Sequence, residues 1–376
     1  MRKRILIPCA TLCALFCAAL SIGAQETSSV IWAFNFDGGL QRWQGIGSTV
    51  KVSRTQEPEN VKNGEGALQL EYQIAQGEKA VAIVLLADKS FATLQTVQFW
   101  AKADYDTTLN IVLSEAKGGR FEALCFVPAK KWQKIVFTPK DFMLATDPNA
   151  PQDANGKLDL DKLETLAIAD YRQFALSAGD PESAKLFAAP AGAHKLCLDD
   201  ISLLSEPTPD TTLKSGTDTL MEDFTRPQLG WVHIGAGTLA IAEGKPLVGK
   251  SLKIDYKQEP NGFFAASRNL ATKPFPKTAQ IGMKVASLKP CRLLIQVEEA
   301  MGGKYQLIIN VPAGESVQDI VRSFKEFTPA PDSKDPDKTL SPEKIHRLVL
   351  MDLTGIFDKA NTTNTLWVNN IRAVTK

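Results

Sequence analysis

Apolar and polar residues alternate with a period of two along most of this chain, and the period of a helix is almost absent. ALQLEYQI at 67–74 and VQFWAKA at 97–103 show the alternation most clearly. The pattern predicts strands over residues 30–36, 67–74, 80–86, 97–103, 109–114, 132–138, 160–169 and 195–204, separated by Gly, Pro, Asn and Asp clusters. Many short strands with frequent turns describe an all-β chain of antiparallel sandwiches, most naturally jelly rolls.

One stretch occurs twice. Residues 113–129 read LSEAKGGRFEALCFVPA and residues 297–313 read VEEAMGGKYQLIINVPA. At one constant offset, Glu115 matches Glu299, Gly118-Gly119 matches Gly302-Gly303, Phe121 matches Tyr305 and Pro128 matches Pro312. Gly-Gly between alternating runs predicts a hairpin with positive φ at the centre of its turn. Further landmarks recur in order. Phe36 and Trp43 have the spacing of Phe224 and Trp231, ALQLEY answers SLKIDY, Asp170 answers Asp352, and Leu198-Asp199-Asp200-Ile201 answers Val368-Asn369-Asn370-Ile371. The repeat is too long for a solenoid, so it reads as domain duplication. The expected boundaries are a leader at 1–24, a first sandwich at 25–206, a linker at 207–218 and a second sandwich at 219–376.

The leader reading rests on Met1-Arg2-Lys3-Arg4, an apolar run from Ile5 to Ile22 and small residues at Gly23-Ala24, the order of a secretory signal peptide. An exported protein, periplasmic or extracellular, is the expectation, with no membrane span once the leader is removed. Beyond it stand Cys125, Cys197 and Cys291. An odd number argues against a disulfide framework, and one bridge between Cys125 and Cys197 is left open. His194, His233 and His346 are far apart and make no metal-binding spacing. With 43 Lys and Arg against 42 Asp and Glu, the net charge of +1 gives no field for nucleic acid. A protein partner stays open.

The opening Phe-Asp-Gly, the FWAKAD strand at 99–104, WQKIVFTPKDF at 132–142, NGKLDLDKL at 155–163 and the terminal LDDISL at 198–203 together resemble the galactose-binding-domain-like sandwiches. Among these the pattern is similar to β-glucan-binding modules of bacterial cellulases and to the complex I intermediate-associated protein domain. The first copy carries it over most of its length. The second departs from it, with Lys289-Pro290-Cys291 breaking into the central sheet and Asn-Asn in place of Asp-Asp. The resemblance implies a non-catalytic module that binds polysaccharide or cell-surface glycan. It also implies a structural calcium in the first copy held by Asp37 with Asp199 or Asp200; the plainer alternative is that these acids only accept hydrogen bonds from backbone.

No catalytic arrangement stands out. Gly235-Ala236-Gly237 lacks the helix that a dinucleotide fingerprint needs. Glu115 and Glu299 flank turns, where a solvated hairpin tip is simpler than a hydrolytic acid. The paired Phe and Trp near each start, and Trp132, read as core. Sugar recognition needs aromatic faces beside hydroxyl-binding groups, and the outward candidates are Tyr72, Gln98, Trp100, Lys102 and Arg120 in the first copy and Tyr305 in the second. Alternation sets Gln98, Trp100 and Lys102 opposite Val97, Phe99 and Ala101. Either face could be the buried one.

Overall fold

The structure, a computed structural model, describes residues 29–375 except 87–89, 146–150, 152, 175–189, 208–213, 216–217, 271–274, 278, 301 and 360–361. The expected leader lies outside the described residues, as does most of the expected linker. The linker's described part holds a two-residue strand, Lys214–Ser215, paired to Asp218–Glu222.

Four antiparallel sheets form two sandwiches. The first sheet runs Lys51–Thr55, Ala67–Ile74, Gly192–Leu204, Thr96–Ala103, Gln133–Phe137, with Val30–Phe34 also paired to Gly192–Leu204. The second runs Met143–Leu144, Arg120–Val127, Thr107–Glu115, Leu163–Asp170, Val81–Leu85, Gln44–Ile46. In the second half, the third sheet is centred on Thr362–Val374, between Lys250–Gln258 and Gln280–Ser287. The fourth runs Trp231–Ile234, Phe264–Asn269, Ile345–Asp352, Cys291–Glu299, Lys304–Val311, Thr328–Pro329. Each sandwich encloses its own apolar cluster, fed by the inward half of every alternating strand. Phe36 and Trp43 in one, and Phe224 and Trp231 in the other, are sealed inside. Trp132 is only half-buried, so its core assignment does not hold.

The duplication is visible bond by bond. The Tyr72 hydroxyl donates to Asp170 (2.6 Å) and the Tyr256 hydroxyl donates to Asp352 (2.5 Å). Asp200 and Asn370 both take left-handed backbone (φ 48° and 51°), beside matching register shifts that bend the long central strands. Lys289-Pro290 forms the turn before the strand Cys291–Glu299 and leaves the sheet intact, which corrects the expectation of a break.

The repeated hairpin differs from expectation in an instructive way. In the first copy the positive φ belongs to Lys117 and not to either glycine, whereas in the second Gly302 takes it (φ 89°) as expected. In the first copy both glycines are needed for space: a Cβ on Gly118 would stand 2.8 Å from Glu115 Cβ, and one on Gly119 would stand 2.8 Å from Asp153 Cβ. Each glutamate folds back over its turn and is buried, correcting the solvated-tip reading. Glu115 Oε1 accepts the Asp159 N–H and Glu299 Oε1 accepts the Ser341 N–H, both at 2.5 Å. Burial raises both carboxyl pKa values, opposed chiefly by those backbone bonds. Cys125, Cys197 and Cys291 are free and buried, which closes the question of a Cys125–Cys197 bridge.

Candidate binding site at the domain junction

The two sandwiches meet along residues 226–234. The Phe126 N–H donates to the Leu229 carbonyl (2.8 Å), an isolated antiparallel bridge between the second sheet and the other domain. Gln228 imitates a strand neighbour. Its Oε1 accepts the Val136 N–H (3.3 Å) and its Nε2 donates to the Val136 carbonyl. The Gln133 amide donates to the Pro227 carbonyl, and Arg226 Nη1 donates to Asp141 Oδ1 at 2.8 Å. Phe126 belongs to the second domain's apolar cluster although the first domain's strand supplies it. Apolar packing and directed hydrogen bonds together fix how the domains sit.

Arg172 Nη2 meets His233 Nε2 across the same junction. A guanidinium can only donate, so His233 Nε2 accepts and its Nδ1–H points at the Gly235 carbonyl (3.2 Å). Burial first, and Arg172 next, pull the His233 imidazole down to about 4. It is therefore neutral at pH 7.

Between the domains lies a cavity of about 150 Å³. Leu124 and Tyr171 line it from the first sandwich, while Arg226, Arg268, Asn269 and Arg347 line it from the second half. Asp141 is the carboxylate in the lining, and its two oxygens are already engaged. Oδ1 accepts from Arg226, and Oδ2 accepts from the Thr138 N–H (2.8 Å) and hydroxyl (3.0 Å). Arg268 pairs with Glu222, and Arg347 pairs with Glu298 (3.2 Å), while neither glutamate belongs to the lining.

The residues expected from sequence stand elsewhere and not together. Tyr72 and Tyr305 are buried, with hydroxyls on Asp170 and Asp335, so the expectation that they face outward is corrected. Alternation in fact sets Tyr72 with Leu68, Leu70 and Ile74, and Tyr305 with Leu307 and Val311, on the inward face, and an acid receives each hydroxyl. Gln98, Trp100 and Lys102 do share the outer face of the first sheet, all half-buried. Loop 57–63 comes over them: Lys62 Nζ sits 4.4 Å from the Trp100 ring centroid, and Lys102 donates to the Glu59 carbonyl and to Asn60 Oδ1 (3.2 Å). Arg120 lies at the hairpin, paired with Glu122 (3.3 Å).

Asp37, Asp199 and Asp200 gather around the turn at 62–65. Asp199 Oδ2 accepts the Lys62 and Asn63 N–H groups (2.8 and 3.1 Å) and its Oδ1 accepts the Asp200 N–H (2.8 Å). Asp37 Oδ1 accepts the Glu65 N–H (2.6 Å), and Asp200 Oδ2 accepts the Asn63 side-chain amide. A hard cation wants several unshared oxygens, and these carboxylates face N–H donors, so the set as arranged does not fit calcium. Among the described residues no group of three or more His, Cys, Asp or Glu side chains is placed to hold a metal. The second copy inverts the polarity: Asn369 Nδ2 donates to the Val248 carbonyl (3.0 Å) where Asp199 accepts.

No family model and no curated protein matches this chain. Its neighbours among solved structures include β-sandwich carbohydrate-binding modules. A family 11 module of the cellulosomal cellulase Lic26A-Cel5E of Clostridium thermocellum is 18% identical, covering 43% of this chain and 97% of its own, with a TM-score of 0.35. A tandem CBM22-1–CBM22-2 of Paenibacillus barcinonensis Xyn10C is 13% identical, covering 93% of this chain and 98% of its own, with a TM-score of 0.32. TmCBM61, solved with β-1,4-galactotriose, is 15% identical, covering 46% and 94%, with a TM-score of 0.30.

Proposed function

We propose that this chain is an exported, non-catalytic protein that binds a polysaccharide or cell-surface glycan, and that the cavity between its two sandwiches is the seat of recognition. The observation that carries the reading is that cavity's lining. Guanidinium, amide and phenol groups from both domains converge there, where sugar hydroxyls and ring oxygens would be bound. The motifs of the first copy point the same way. The outer faces of the sheets offer less, since Phe357, at 48% exposed, is the one aromatic among the large hydrophobics open to solvent in the described residues.

The test is a glycan array with the mature protein, followed by affinity electrophoresis on each positive polysaccharide. Retention that persists in an Asn269→Ala, Arg347→Gln double variant of unchanged melting temperature refutes the junction as the seat. A second reading, a protein-binding scaffold, is favoured by one feature. Ile46 (54% exposed) and Leu85 (53% exposed) stand with Val81 and Ile83 on one outer face of the second sheet. An empty array, with a partner captured through wild type and lost on Ile46→Asp, decides for it.

A further inference from the structure

The junction cavity holds more donors than acceptors, and three of its lining side chains are cations against one carboxylate. Three guanidinium groups line it, each with five N–H donors and no acceptor. Arg226 has Nη1 engaged by Asp141, Arg268 has Nη1 engaged by Glu222, and Arg347 has Nε and Nη1 engaged by Asn269 and Glu298. Asn269 gives its oxygen to Arg347 Nε (3.0 Å), so what it brings to the cavity is its N–H pair. The lining carboxylate, Asp141, already accepts from Arg226 on one oxygen and from Thr138 twice on the other, which leaves the Ser267 and Tyr171 hydroxyls as the further side-chain acceptors beside Gln228. A neutral sugar hydroxyl seeks acceptors as well as donors. This lining meets a group that only accepts.

We propose that the junction cavity binds the anionic group of an acidic glycan, a carboxylate or sulfate ester carried on a sugar ring. This rests on the glycan-binding reading above and narrows it. Planar guanidinium forks match such groups two bonds at a time. Glu222 and Glu298 hold Arg268 and Arg347 in place from outside the lining and offset part of their charge. Size agrees with one charged ring end, because a cavity of this volume admits roughly a benzene-sized fragment. The rest of the polymer would run outside. A net charge of +1 leaves no general attraction for polyanions, so retention would report a local site.

The experiment is affinity electrophoresis and calorimetry of the full mature chain against polygalacturonate, dextran sulfate, neutral xylan and β-glucan, at low and raised NaCl. Binding to polygalacturonate or dextran sulfate that weakens with salt, and falls roughly tenfold or more in Arg347→Gln, is the expected result. Whichever polyanion binds identifies the anionic group. Equal binding of neutral and acidic polymers, or an Arg347→Gln variant that binds as wild type does, overturns acidic selectivity and leaves the glycan reading standing. No retention on any polymer overturns both. If Arg347→Gln fails to fold, Asn269→Ala serves in its place with the same expectation.

Discussion

Acidification tests the junction directly, through His233. In the folded protein its imidazole titrates near 4, whereas an unfolded histidine titrates at about 6.5. The folded value is the lower one, so the contribution to stability is complete above about pH 6.5 and is lost as the pH falls through about 4. With those two values, the loss by pH 4.5 is about 2.5 kcal/mol, which sets the order of magnitude. Physically, protonation places a second cation against Arg172 and removes the lone pair that accepts its N–H. Asp106 supplies only a minor opposing attraction. Glu115 and Glu299 titrate in the opposite sense, because their raised folded pKa values add stability as the pH drops. The informative quantity is therefore a difference between variants. Glutamine can accept from Arg172 through oxygen and donate to the Gly235 carbonyl through nitrogen, yet it carries no charge at any pH. Urea unfolding of wild type and His233→Gln, from pH 7.5 to 4.5, should show two curves whose gap changes by about 2 kcal/mol in favour of the variant at the acid end. A gap that stays constant to within about 0.5 kcal/mol would refute a buried, neutral His233.

The remaining predictions concern single groups. Asp170 takes hydrogen bonds from the Tyr72, Tyr105 and Thr107 hydroxyls and from the Arg172 N–H, so Asp170→Ala should cost at least about 3 kcal/mol in urea unfolding, and a cost below about 1 would contradict that network. Trp100→Ala removes the ring beneath Lys62, worth about 0.5–1 kcal/mol, and should leave retention on β-glucan unchanged; retention lost at constant melting temperature would return Trp100 to the ligand face. Millimolar calcium or EDTA should leave the melting temperature unmoved, since Asp37, Asp199 and Asp200 face N–H donors; stabilisation growing with calcium concentration would put an ion among them.

Much of the architecture was legible because alternation and turn chemistry are local signals. The strand over residues 67–74 begins and ends where its pattern does, and the paired Asp-Asp and Asn-Asn positions mark the same bend in both central strands. Short strands with weak alternation were missed, among them Gln44–Ile46 and Met143–Leu144, which owe their conformation to the neighbour they pair with. Partners were harder to read than faces. Tyr72 shares its face with Leu68, Leu70 and Ile74, which marks it as inward, yet only the fold brings Asp170 to receive its hydroxyl.

The junction was hidden for a deeper reason: no single copy contains it. Its lining joins Leu124 and Tyr171 of one domain to Arg226, Arg268 and Arg347 of the next, and a repeat read for its likenesses discards what differs. Strand register shows where the difference lay. Arg268 stands opposite Leu348 as Val84 stands opposite Leu166, and Arg347 precedes Leu348 as Thr165 precedes Leu166. Where the first copy has a valine and a threonine the second has arginines, on the sheet that turns towards its partner domain. An arginine on a half-buried strand loses solvation and side-chain freedom, a cost that folding alone gives no reason to bear. Part of that cost is met by Glu222 and Glu298, and a bound anion would meet more. Exchanging both positions for their first-copy counterparts, Arg268→Val with Arg347→Thr, is combined with Glu222→Gln and Glu298→Gln so that no carboxylate loses its partner. That variant should therefore leave the fold at least as stable while abolishing retention on an acidic polysaccharide. If it instead unfolds cooperatively at a much lower temperature, the arginines are there to join the domains, and the cavity between them is only what that joint encloses.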